Sequence, residues 1–141
     1  MKTRLLLVDD NAEIRRLVRL TFGPERHDIH EAASGSEALM LVHRLRPHLV
    51  LLDIAMPGHL DGLELCRRLR TDLTLPGLRI VMLTARGQHN DVAAGYAAGA
   101  DSYFVKPFSP LDLVDHVEGL LAARPLTTQQ AAPRAPAAAH P

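Results

Sequence analysis

Leu5-Leu6-Leu7-Val8-Asp9-Asp10 is an apolar run that ends in two acids, and Leu49-Val50-Leu51-Leu52-Asp53 is a second run that ends in one. Short apolar runs bounded by charge read as buried strands. A buried strand that ends in a carboxylate delivers it to the rim of a sheet. Two such strands side by side would gather Asp9, Asp10 and Asp53 in one pocket. Three negative charges there repel one another unless a hard cation is present. The arrangement suits Mg²⁺, which takes oxygen ligands in octahedral geometry. A third apolar run ends at Thr84 and a fourth at Lys106, so a hydroxyl and an ammonium are expected at the same rim.

Helical patterns fill the gaps between the strands. Strand one is expected over Arg4–Val8, and a helix over about Asn11–Phe22 with Ile14, Leu17, Val18 and Thr21 on one face. Strand two, about Asp28–Ala32, is the most polar and is expected at a sheet edge. Ser34-Gly-Ser-Glu37 has the form of a capping box for helix two, which faces in through Ala38, Leu41, Val42 and Leu45 and stops at Pro47. A loop over Ile54–Leu60 leads to Asp61-Gly-Leu-Glu64, which caps a third helix ending near Arg70. Strand four is expected at Leu78–Leu83. A weak Ala-rich helix with Gly95 inside it follows at about Asn90–Ala98. Strand five is Ser102–Val105. Ser109-Pro110 then starts a last helix, with Val114, Val117, Leu120 and Leu121 on one face. From Arg124 the chain is Ala, Pro, Thr and Gln without periodicity. The expected division is therefore a domain at 1–123 and a disordered tail at 124–141.

Strict alternation of strand and helix argues for a parallel sheet covered on both faces. The flavodoxin-like, doubly wound order 2-1-3-4-5 with five helices puts the polar strand at an edge. It makes strands one and three neighbours at the topological switch point, where ligands bind at the carboxyl ends.

Composition narrows the function. The 141 residues carry 16 basic and 16 acidic side chains, a formal net charge of zero. That balance gives no support for direct nucleic-acid or membrane-surface binding. One cysteine, Cys66, forbids an intrachain disulfide. With an opening Met1-Lys2-Thr3-Arg4 that leads into only four apolar residues, the expected location is the cytoplasm. The eight histidines lack the paired spacing of a zinc site. His59 and His89 fall in loops near the acids, and Cys66 is expected to pack on helix three.

Five stretches together resemble the receiver domain of two-component response regulators. They are Leu7-Val-Asp-Asp-Asn11, Leu52-Asp53 with Met56-Pro57-Gly58 and Asp61-Gly62, Val81-Met-Leu-Thr-Ala85, Ala98-Gly-Ala-Asp101, and Tyr103-Phe-Val-Lys-Pro-Phe108. The resemblance spans about residues 3–122. It implies Asp53 as phosphoacceptor, Asp10 and, through water, Asp9 as Mg²⁺ ligands, and the backbone carbonyl of Ala55 as a further ligand. It implies that Lys106 and Thr84 bind phosphoryl oxygens, that Tyr103 is a switch aromatic turning with Thr84, and that Lys106-Pro107 is cis. The expected partners are a histidine kinase or histidine phosphotransfer protein and a downstream protein, on a surface of helix four, strand five and helix five. A monomer or weak dimer is expected.

The chain departs from that pattern in three places. His59 and Leu60 both stand between Met-Pro-Gly and Asp-Gly, where one residue is usual. Ala55 and Arg86 occupy positions that tune dephosphorylation in the family. The last helix has Asp112, Asp115, His116 and Glu118 but no arginine before Arg124, against the charged dimer contact of winged-helix regulators. Other readings fare worse. An aspartyl-phosphate hydrolase would want an acid where Ala55 stands. A flavin carrier would want a Ser/Thr/Gly-rich loop in place of Asp-Asp-Asn. A stand-alone switch is expected, not a metabolic enzyme; a receiver cut from a larger regulator and a phosphorylation-independent docking domain stay open.

Overall fold

The computed structural model describes residues 2–56, 60–85 and 89–122, and at 85 and 89–92 the backbone alone. Five strands form one sheet: β1 (Thr3–Val8), β2 (His27–Ala32), β3 (Leu49–Asp53), β4 (Arg79–Ala85) and β5 (Ser102–Lys106). Their order is β2-β1-β3-β4-β5, with every pair parallel, as the strand pattern predicted. The helices are α1 (Ala12–Phe22), α2 (Gly35–Leu45), α3 (Gly62–Thr71), α4 (His89–Ala97) and α5 (Pro110–Ala122). β2 is one edge, and its outward-facing charge blunts it: Asp28 is exposed, while Arg15 and Arg19 of α1 close on Glu31.

Alternation along the strands builds two cores. Leu6, Val8, Val50, Leu52, Ile80 and Met82 pack with Ala38 and Val42 of α2 and Leu65 and Leu69 of α3. Leu5, Leu7, Leu49, Leu51, Val81 and Leu83 pack with Val18 and Phe22 of α1 and Leu113 and Val117 of α5. The expected face of α1 was turned slightly wrong. Leu17 is 42% exposed, and Phe22 is buried in its place. Val18 and Phe22 lie four residues apart and stack on one stripe, whereas Leu17 sits a full 100° around from Val18. The expected face of α5 packs on the core, with one addition. Leu113 joins Val117 in the core, while Val114, Leu120 and Leu121 are only partly buried, as are Leu41 and Leu45 of α2.

The caps follow the sequence with one difference. Asp61 Oδ1 accepts from the Glu64 amide at 2.9 Å, and Ser34 Oγ from the Glu37 amide at 3.2 Å. Glu37 reaches back to the amide of Ala33, one residue ahead of the usual partner. The Ala-Gly-Ala-Asp turn closes through Asp101, whose carboxylate accepts from the Ile80 amide and from Arg70.

Two glycines sit where backbone meets backbone. A Cβ at Gly35 would lie 2.1 Å from the Leu60 carbonyl oxygen, and Leu60 itself is buried in the core. A Cβ at Gly62 would lie 2.3 Å from the Asp53 carbonyl oxygen and 2.6 Å from Ile54 Cα. Gly119 is the contrary case, exposed inside α5 with open space around it. Gly119→Ala should therefore stabilise the fold by about 0.5–1 kcal/mol through helix propensity. Urea denaturation checks this, and a lower midpoint would refute it.

Candidate functional site

The strand registers carry the site. Val8 pairs with Leu52 and Asp53 with Leu83, so Asp9 and Asp53 leave neighbouring strands at one rim. Thr84 pairs with Val105 and Ala85 with Lys106, which brings the other two strand ends alongside. The period of two then sorts the groups by face. Asp9, Asp53 and Lys106 continue the rows of Leu5-Leu7, Leu49-Leu51 and Phe104, on the α1/α5 side. Thr84 continues the Ile80-Met82 row on the α2/α3 side, where Tyr103 also packs.

Asp9 is fully buried, Asp53 is 5% exposed and Asp10 faces solvent. Each can offer a carboxylate oxygen lying within 4.8 Å of those of the other two. Lys106 Nζ donates to Asp9 Oδ2 at 2.9 Å and stands 3.5 Å from Asp53 Oδ2. One ammonium thus serves two buried carboxylates, which leaves the pocket net negative. Burial, and then the Asp9 charge, push the Asp53 carboxyl up to about 6, against the pull of the Ala55 amide and of Lys106. Burial draws the Lys106 ammonium down. The hydrogen bond and charge of Asp9, with the charge of Asp53, outweigh that, and its pKa is raised.

This donor set fits a divalent cation. It is all oxygen, it is anionic in excess of its one ammonium, and its carboxylates converge. Among the described residues it is the one cluster of acids, histidines or cysteines that could hold a metal ion. A simple helix cap does not account for it. Asn11 caps α1, accepting from the amides of Glu13 and Ile14, while Asp9 turns inward and accepts from the Asn11 amide.

Each remaining candidate has a definite position. The Ala55 amide donates to Asp53 Oδ1 at 3.1 Å, which holds the carboxylate from the loop side. Thr84 is 1% exposed, and its hydroxyl has no hydrogen-bond partner among the described residues. A buried orphan hydroxyl is costly unless something polar meets it. Tyr103 is buried, edge-on to Tyr96 of α4 with ring centroids 5.6 Å apart. The Lys106-Pro107 bond is cis. Pro57, Gly58, His59, Arg86 and residues 124–141 lie outside the described residues, as does the side chain of His89.

Sequence reasoning missed two supports. Arg15 donates to the Asp9 carbonyl at 2.7 Å and to Glu31 at 3.0 Å, tying the acidic turn to α1 and β2. Nothing local signals this, because Arg15 and Glu31 are 16 residues apart. Ser102, at the start of β5, is the second. It is buried and meets His116 Nε2 of α5, whose pKa is lowered by burial. Cys66 packs as expected, its thiol directed at the Ala98 carbonyl. Burial pushes it up to about 11, so it is no nucleophile.

Known proteins resemble this chain in sequence and fold. Residues 5–118 match the response regulator receiver domain family. Over 120 residues the chain is 44% identical to the transcriptional regulatory protein ResD of Bacillus subtilis, covering 85% of this chain and 48% of ResD. It is 42% identical over 121 residues to the DNA-binding response regulator MtrA of Mycobacterium tuberculosis, covering 86% and 51%. The chain thus spans about half the length of the curated relatives it matches. The receiver domain of NtrX from Brucella abortus superimposes with a TM-score of 0.78 at 31% identity, over 85% of this chain and 99% of that one. Receiver domains of this family are regulatory rather than metabolic enzymes, and they work with a histidine kinase or phosphotransfer partner. Among the described residues no helix is long and apolar enough to cross a membrane. The five motifs, the 2-1-3-4-5 sheet and the acids at its rim have one common explanation: the chain belongs to the response regulator receiver domain family of two-component signalling.

Proposed function

We propose that Asp53 accepts a phosphoryl group from a phosphohistidine on a kinase or phosphotransfer protein in the cytoplasm, in a Mg²⁺-dependent reaction. An Asp53 carboxylate oxygen bonds to phosphorus as the bond from phosphorus to the donor imidazole nitrogen breaks. The imidazole leaves with that electron pair and takes up a proton. The observation that carries this reading is the pairing of a buried, charge-crowded Asp53 with a buried Thr84 hydroxyl that lacks a partner. Asp9, Asp10, Asp53 and the Ala55 carbonyl would hold the cation, which supplies charge neutralisation for the incoming phosphoryl oxygens.

The remaining work falls to the chain itself. Lys106, already 3.5 Å from Asp53, offers its ammonium to a phosphoryl oxygen. The Thr84 hydroxyl gains the acceptor it lacks by turning toward the new group. That movement frees space beside Tyr103 and alters the surface of α4, β5 and α5, where a partner protein reads the change. The domain itself makes no contact with nucleic acid in this reading and acts as a monomer or weak dimer.

Incubation with Mg²⁺ and acetyl phosphate, followed by intact-mass measurement, tests the chemistry. Wild type should gain one phosphoryl group and Asp53→Asn none. An adduct that survives in Asp53→Asn would overturn the assignment. A second reading is favoured by one finding: the relatives are about twice as long and two of them carry transcriptional or DNA-binding names. In that reading the same switch is the receiver half of a longer regulator.

A further inference from the structure

The opposite pole of the sheet carries a second concentration of charge. Arg4 lies near the start of β1, Arg79 opens β4, and Arg46 and His48 follow α2. Together with Leu75 and Pro76 they line a cleft of about 330 Å³. Among the described residues no carboxylate lines it. Most of the other described arginines are neutralised: Arg15, Arg19, Arg26, Arg67, Arg68 and Arg70 each stand in an ion pair. Arg16 and Arg44 pair with none among the described residues, but both lie exposed on helix faces. Arg4, Arg46 and Arg79 are in no ion pair among the described residues, and they face one cleft.

The cleft is held in place by main-chain contacts. Arg4 donates from Nε to the Leu45 carbonyl at 3.0 Å and from Nη2 to the Arg46 carbonyl at 2.9 Å. Arg46 Nη2 donates to the Thr74 carbonyl. The Arg4 amide donates to His48 Nδ1 at 2.9 Å, which leaves Nε2 of the neutral ring as a donor. These bonds use only part of each guanidinium fork, so several donors stay available. Three cations in one cleft repel one another, and an anion placed among them removes that cost. Arginine forks suit phosphate oxygens in particular. Leu75 and Pro76 add an apolar wall against which a flat ring can lie.

We propose that this cleft binds a phosphate-bearing small molecule of mononucleotide size, with the phosphate on Arg4, Arg46 and Arg79 and the ring against Leu75 and Pro76. Its volume falls within the usual range for small-molecule sites. About 16 Å of β1 separates Arg4 from Asp9, so the site is distinct from the acidic rim. The inference does not depend on phosphorylation of Asp53.

The test is a titration of ¹⁵N-labelled protein with AMP in Mg²⁺-free buffer, with adenosine and inorganic phosphate as comparators. Saturable shifts are expected at the amides of Arg4, His48 and Arg79, and no comparable shifts with adenosine. Arg79→Gln should weaken AMP about tenfold or more, as loss of a charge-assisted hydrogen bond implies, with spectral dispersion unchanged. Arg79→Lys should weaken it less. Absence of shifts, shifts that Arg79→Gln leaves intact, or adenosine binding as well as AMP would overturn the proposal. Inorganic phosphate matching AMP would overturn the nucleotide assignment. A response to polyglutamate with none to AMP would also overturn it and make the cleft a seat for an acidic protein.

Discussion

In metal-free buffer at pH 8, Asp53→Asn is expected to unfold at a higher temperature than wild type, although it removes the group on which the proposed switch depends. The Asp53 carboxyl is raised from an ordinary 3.8 to about 6 by burial and then by Asp9. Between those two values the folded protein keeps a proton that the unfolded chain releases. Stability therefore falls as the pH rises through this window, and the loss is complete above about pH 7. A shift of about 2 units corresponds to about 3 kcal/mol. Asn forfeits one contact with Lys106, which keeps Asp9 at 2.9 Å, so a net gain of about 2 kcal/mol is expected. For a domain of this size that is a rise of about 6–10 °C in the midpoint. The gain should vanish at pH 4, where Asp53 is protonated in the folded protein. Mg²⁺ should raise the wild-type midpoint by mass action and narrow the gap. Equal midpoints for the two proteins at pH 8 and at pH 4 would show that the three acids do not crowd one another.

Gly62→Ala is expected to be strongly damaging for a change of one methyl group. The added methyl would meet the carbonyl oxygen of Asp53 at 2.3 Å and Ile54 Cα at 2.6 Å. Both are main-chain atoms at the end of a central strand, so neither can step aside as a side-chain tip would. Overpacking of this kind costs about 3 kcal/mol, several times any gain in helix propensity. The strain falls on the residue that the proposed chemistry uses. Phosphoryl acceptance from acetyl phosphate should therefore drop with stability, even at a temperature where the variant stays folded. Urea denaturation and intact-mass time courses measure the two effects. A variant with wild-type stability and wild-type phosphorylation would refute the close approach.

The fold was legible because its signals are local and repeated. Apolar runs ending in Asp10, Asp53, Thr84 and Lys106 mark strand ends, and the polar Asp28–Glu31 stretch marks an edge. Strand order and register then follow from few allowed topologies. The acids could be placed at one rim from spacing alone. Their separation by face could not, because it depends on which helices cover which side. The stripe of α1 was misjudged by one position, since Leu17 is as apolar as the Phe22 that packs in its stead, and the face of α5 gains Leu113 beside the expected Val114 and Val117. The Arg15 brace and the Ser102–His116 contact were invisible for a different reason. Each joins residues with no pattern between them, and only the folded chain brings them together.

The contacts at Gly35 and Gly62 bear on how such a domain can change over generations. Leu60 is pressed to the start of α2 and Gly62 to the end of β3, so the chain is pinned just before and just after Asp61. The peptide between Ala55 and Leu60 leaves from one fixed anchor and arrives at another. A residue gained or lost there falls between two close backbone contacts, which resist passing the change on to the strand behind. Leu60, the second of the two residues that stand where one is usual, lies against this stop. Lineages can therefore experiment with length at the mouth of the site while inheriting its floor intact.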